Sequence, residues 1–194
     1  IVMRRFLHRL LPVLDRDRSS IDRIHTLRRQ FAGLRDGQLS EAASKEDHLL
    51  PFLALAAVAA SRVLGQELFD VQLRGALALA RGSIAEMQTG EGKTLAAVPA
   101  VAWYARRRQG VHVMTVNDYL ARRDACWMGE VYRLLGLSVA SVQQGMTKAD
   151  RRLAYASDIT YATANEIGFD VLPDRLALRL DEQVGATAGC GSRE

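Results

Sequence analysis

Apolar residues recur three and four apart through the first third of the chain. Ile21, Ile24, Leu27, Phe31 and Leu34 fall at that spacing with charges between them, which predicts an amphipathic helix over 20–36. Gly33 and Gly37 suggest its end. Ser40 and the acids Glu41, Glu46 and Asp47 precede a second helical region. Pro51 suits the first turn of its main helix and Gly65 its close. Leu53–Ala60 reads as core, and residues 69–81 predict another short helix. The pattern then changes. Short β-type runs at 83–87, 111–116, 137–142 and 158–163 alternate with helical stretches at 94–108, 118–135, 147–156 and 166–172. Strands separated by such helices imply βαβ units, a parallel sheet and right-handed crossovers, hence an α/β fold of about four visible strands behind a helical N-terminal region. The stretch from Gly185, small and polar, is expected to be disordered.

Length and composition narrow the picture. The chain has 194 residues, 48% hydrophobic and 25% charged, an ordinary globular balance that excludes collagen-like and low-complexity classes. Cys126 and Cys190 are the two cysteines and form no CxxC pair. That excludes a disulfide scaffold and an ordinary structural zinc site, and fits a reducing compartment. The longest apolar run, 49–60, is twelve residues, short of the roughly 20 that span a bilayer. The N-terminal apolar stretch is broken by Arg9 and followed by Asp15 and Asp17, unlike a signal peptide. Together these point to a cytoplasmic protein. A first residue of Ile, with Met at position 3, suggests a fragment. Residues 1–36 carry a net charge of +5, and the remainder sums to −1. A basic amphipathic N-terminus can favour an anionic surface such as lipid or nucleic acid, although a solvated face in an Arg-biased sequence is the plainer reading.

The segment with chemistry is Met87–Thr94, MQTGEGKT, between a strand candidate and a helix. That is the setting of a phosphate-binding loop. Gly90 and Gly92 let the backbone turn so that amides of the Thr89–Glu91 stretch and the helix N-terminus face phosphate oxygens. Lys93 can reach the β- and γ-phosphates, and the Thr94 hydroxyl can hold Mg²⁺. Met87 stands where the general pattern has its first Gly, a variant common among helicase-type motors. Upstream, the Gln72 amide offers the complement of adenine N6 and N7, and Phe69 could stack on a base. Alone, each is as readily an ordinary surface Gln and core Phe.

FDVQL, IAEMQTGEGKT, VHVMTVNDYLARRDA and DITYATANEIGFDVL, in that order, resemble the SecA family of preprotein translocase ATPases across residues 45–178. RRDACWMGEVYRLLGLSV and NEIGFDVL look closer to its accessory type. The resemblance implies an incomplete RecA-like domain, similar to superfamily 2 helicases, with ATP and Mg²⁺ as its ligands. It implies a domain division into a helical region at 1–65, a partial nucleotide-binding domain at 66–180 and a tail at 181–194. Gln72 matches the adenine-reading position, and Thr89, Gly90, Glu91, Gly92, Lys93 and Thr94 match the phosphate loop. Thr115 to Asp124 and Asp158 to Asp170 match segments near the functional face. The implied partners are preproteins and a SecY-type channel at the cytoplasmic face of the membrane. Anionic lipid and a homodimer stay open, and no nucleic acid is expected. Three positions depart from the family pattern. Gln88 replaces a common Arg or Lys, Gln66 a common Met, and Pro173 an Arg, where Pro would disturb a continuing helix.

Hydrolysis by this family needs a late Asp-Glu pair ending an apolar strand beside the phosphate-loop strand. The late Asp181-Glu182 lies in RLALRLDEQV and reads as a chance exposed pair. The 194 residues alone are therefore expected to be marginally stable and weak in ATP turnover, with an unfilled slot in the sheet. A nucleic-acid helicase would need a basic groove, which the −1 charge of residues 37–194 does not favour. A non-catalytic nucleotide-binding product is the other rival. His8, His25, His48 and His112 show no ligand spacing. Cys126 reads as packed beside Trp127, and Arg106–Arg108 as helix-terminal cations. Arg122 and Arg123 divide between function and surface.

Overall fold

The computed structural model describes residues 2–107, 110–176 and 183–185, with side chains from residue 17 onward. Five helices come first: α1 (Val2–Phe31), α2 (Asp36–Lys45), α3 (Leu49–Leu64), α4 (Asp70–Ala80) and α5 (Lys93–Ala105). Strands and helices then alternate: β1 (Val111–Thr115), α6 (Asp118–Leu134), β2 (Val139–Ser141), α7 (Lys148–Tyr155), β3 (Ile159–Thr163) and α8 (Ala164–Leu176). The strands pair in parallel in the order β1-β3-β2, with His112 opposite Thr160 and Ser141 opposite Tyr161. This is the α/β architecture that the alternation implies.

Local chemistry fixes the boundaries. Asn117 caps α6 by accepting the Leu120 N–H at 2.9 Å, and Thr147 caps α7 by accepting that of Asp150 at 3.2 Å. Gly65 ends α3 in the left-handed region at φ 66°, its N–H donating to Ser61 O. The main core is built around α3, whose Phe52–Ala60 stretch is wholly buried. The stripe Ile21, Ile24 and Leu27 of α1 joins it, with Val98 and Trp103 of α5, Met128 and Tyr132 of α6, and Ile159 and Tyr161 of β3. Fully burying one such large side chain contributes about 1.5–3 kcal/mol. A smaller cluster of Val142, Ala154, Tyr155, Ala162, Ile167 and Val184 covers the other side of β3.

The structure departs from the sequence reading in five places. The first helix begins well before residue 20 and ends at Phe31, where a turn closed by the Leu34 N–H on Phe31 O replaces the helix expected to 36. Residues 83–87 are not a strand. They run without regular structure, and Ile84 is 97% exposed. A strand exists only where its N–H and C=O groups meet a neighbour, and no described strand lies beside this run, so β-type composition has nothing to act on. The described sheet has three strands, not four. Residues 36–45 form a helix of their own, because Leu39 and Ala43, four apart, both reach the core. Cys126 is exposed, not packed. It is out of phase with Ala121, Asp124, Ala125 and Met128, which carry the buried face of α6. The helix at 166 continues through Pro173 to Leu176, giving up the one hydrogen bond that the proline cannot donate. Asp174 in that last turn is 2% exposed and accepts the N–H groups of Val184 at 2.6 Å and Gly185 at 3.0 Å. Arg108, Asp181-Glu182, Cys190 and the tail beyond Gly185 lie outside the described residues.

Candidate nucleotide-phosphate site

Residues 81–92 carry the chain from α4 to α5. Gly90, at φ 92°, and Gly92, at φ 77°, both adopt backbone that side chains with a Cβ resist. Gly92 is the N-cap of α5. It brings no capping side chain, and no acid occupies the first turn. The opening amides of α5 and its positive dipole end are therefore presented as an anion site. Lys93 opens the helix, and its ammonium folds onto the loop, donating to Met87 O at 3.0 Å and Gln88 O at 2.7 Å. The Glu91 carboxylate accepts the Gln88 N–H at 2.7 Å and closes the turn. The sequence offered no role for that carboxylate, although its spacing of three from Gln88 suits a local side-chain-to-backbone bond.

Gln72 reaches the loop from α4. It is 6% exposed, and both ends of its amide are used. Its Oε1 accepts the Phe69 N–H at 3.0 Å, and its Nε2 donates to Glu91 O at 3.0 Å. A Cβ on Gly92 would stand 2.4 Å from Gln72 Nε2. The glycine is thus required twice, by its φ and by the amide lying against it. At Gly75, one turn further along α4, a Cβ would stand 2.9 Å from Met87 Sδ, on a flexible side chain that can give way. The structure therefore brings Gln72, Gly90, Glu91, Gly92 and Lys93 together. Thr89 is exposed beside them, and Thr94 is half-buried in the first turn of α5. Phe69, at 71% exposure, projects into solvent at the start of α4.

The two downstream segments serve the frame. Thr115 donates to Asn117 O at 3.0 Å, and Asp118 accepts the Gln144 N–H at 2.9 Å. Arg123 pairs with buried Asp124 at 2.7 Å. Asp158 accepts both the backbone N–H and the hydroxyl of Ser138, tying β2 to β3. Glu166 and Asp170 both hold Arg151, at 2.5 and 2.6 Å, and Tyr155 donates to Asp170 at 2.8 Å. Burial alone would lower the Arg151 value. The hydrogen bonds and charges of Glu166 and Asp170 outweigh it and hold the guanidinium above its ordinary value. Burial, with the Asp170 carboxylate beside it, pushes Tyr155 far above the usual phenol. Arg106 is a cation at the end of α5, as expected. It also lies over the Phe52 and Trp103 rings, 5.4 and 5.3 Å from their centroids. No group of three His, Cys, Asp or Glu side chains suited to a metal occurs among the described residues. None of their helices is long and apolar enough to cross a membrane.

A parallel sheet among helices, with a Gly-x-Gly-Lys-Thr loop entering one of them, defines an incomplete RecA-like α/β domain of the phosphate-loop class. A family model for the SecA DEAD-like domain matches residues 14–190, so the chain belongs to that family. The protein translocase subunit SecA of Beijerinckia indica is 56% identical over 147 residues, covering 76% of this chain and 15% of its own length. That of Thermus thermophilus is 47% identical over 181 residues, covering 93% of this chain and 18% of its own. Subunit SecA 1 of Rhodopseudomonas palustris is 51% identical over 147 residues, covering 76% and 16%. The chain spans less than a fifth of the length of these relatives.

Proposed function

We propose that residues 87–94 bind the phosphates of ATP, as the phosphate-loop part of a SecA-type protein-translocating motor. The observation that carries this is the loop geometry: two left-handed glycines, a helix N-terminus without a cap, and Lys93 held over the loop's carbonyls. The residues suit the ligand. Lys93 would exchange its carbonyl contacts for phosphate oxygens, and the Thr94 hydroxyl would hold Mg²⁺, which neutralises charge on those oxygens when bound. Gln72 would read the adenine edge while keeping its hold on Glu91, and Phe69 would lie against the base. Gln72 thereby joins base recognition to the loop's shape. In the whole motor, hydrolysis would drive preprotein through a SecY-type channel, with the protein cytoplasmic and peripheral on the membrane. The domain division at 65/66 and 180/181 belongs to the same reading, and anionic lipid and a homodimer are compatible with it.

Binding of a fluorescent ADP analogue with Mg²⁺ tests this. The chain should bind it, Lys93→Ala should weaken binding at least 100-fold by losing the phosphate-facing charge, roughly two contacts of charge-assisted strength, and turnover should be slight. Equal affinity in the Lys93→Ala protein would overturn the assignment.

A further inference from the structure

Away from the phosphate loop, α1 and α3 part to leave a groove of about 480 Å³ lined by His25, Arg28, Arg29, Arg62 and Glu67, with Ser61 among them. Arg28 forms its floor, with its side chain only 9% exposed. A guanidinium so deep is ordinarily held by charge-assisted bonds of about 2.7–2.9 Å. Arg28 is held loosely instead: 3.3 Å to Leu68 O, 3.3 Å to Glu67 Oε2 and 3.5 Å to His25 Nδ1. Glu67 is itself 79% exposed, so it neutralises the floor weakly.

At the rims, His25 and Arg62 have close carboxylate partners, and Arg29 has only a hydroxyl among the described residues. On α1, His25 is taken by Asp70 at 2.7 Å, and Arg29 reaches Thr26 Oγ1 at 3.4 Å. On α3, Arg62 is engaged by Asp36 at 2.6 Å and Leu34 O at 2.8 Å. Three arginines thus line one groove whose lining contains a single carboxylate, that of Glu67, with Asp36 outside it holding Arg62. Planar guanidinium forks match the oxygens of a phosphate group. We propose that this groove binds a phosphate-bearing ligand, with Arg28 at the floor and Arg29 and Arg62 at the rims. It shares no residue with the phosphate loop and stands independently of the nucleotide reading.

Pyrophosphate titrated calorimetrically into the Lys93→Ala protein tests the groove with the phosphate loop disabled. Binding should persist there, fall at least tenfold when Arg29→Gln is added, and recover in part with Arg29→Lys. Arg29 is exposed, so this change leaves the fold intact, as circular dichroism would verify. Sedimentation with phosphatidylglycerol against phosphatidylcholine vesicles identifies the source of the phosphate. Arg29-dependent binding to the anionic vesicles assigns a lipid headgroup, and Arg29-dependent pyrophosphate binding alone assigns a soluble ligand. If neither probe shows an affinity that depends on Arg29, the proposal fails.

Discussion

Replacing Gly92 by alanine sets two costs against each other in one position. The first is conformational. Gly92 sits at φ 77°, where a residue with a Cβ costs about 1–2 kcal/mol. The second is steric. The new Cβ would stand 2.4 Å from Gln72 Nε2 and must push the amide off Glu91 O. Leaving that buried donor unpaired costs about 1–3 kcal/mol. The total is about 2–5 kcal/mol, a large share of an ordinary domain's 5–15 kcal/mol. Gly90, at φ 92° with nothing within 4 Å of an added Cβ, should show the first cost alone. So should Gly92→Ala made in a Gln72→Ala background, where the obstructing amide is gone. Urea unfolding followed by circular dichroism on the four proteins of this cycle measures the coupling, expected at about 1–3 kcal/mol. Should Gly92→Ala alone fail to fold, the double variant, relieved of the clash, should still fold. Additive effects, within about 0.5 kcal/mol, would refute the claim that Gln72 lies against the loop.

Two further outcomes follow from the frame. Burial holds His112, whose ring lies 5.5 Å from that of Tyr155, below the ordinary histidine value. The unfolded chain then binds the proton more readily, so stability should fall as pH drops below about 6.5, and thermal melts of His112→Asn should show a shallower fall than wild type; equal slopes would remove burial of the ring as the cause. Arg151→Met strands Glu166 and Asp170, side chains 15% and 12% exposed, without their cation. A loss of about 3–5 kcal/mol is expected at neutral pH, and a loss under about 1 kcal/mol in urea unfolding would contradict the network.

Most of the scaffold was legible because its signals are local. Gly65 and Gly136 end helices in left-handed backbone, Thr147 caps α7, and the apolar run of α3 is buried as a unit. The loop glycines were legible for the same reason, since the spacing of Gly90 and Gly92 carries its own backbone demand. What was not legible depends on neighbours. Ser83–Met87 has the composition of a strand, but strand formation is decided by a partner that the run itself does not contain. The exposure of Cys126 is a matter of phase on α6, which the surrounding Arg and Trp residues blur. Gln72 could be guessed as a reader of a base, but not as a brace for Glu91, because the approach of α4 to the loop is a tertiary fact. The groove over Arg28 likewise needs α1 and α3 to be side by side.

The order β1-β3-β2 puts the last of the described strands in the middle of the described sheet. Both β1 and β2 pair with β3 and not with each other. During synthesis, β1 is complete at Thr115, and its partner is not finished until Thr163, 48 residues later. At about 5–20 residues per second, that is a wait of roughly 2–10 s. The helices α1, α3, α4 and α5 precede all of this and pack on one another, so the nascent chain can assemble its helical half while the first strand still waits. Ile159–Thr163 is the segment whose arrival joins the two other described strands into a sheet, and a ribosome that pauses before it would leave both without their shared partner.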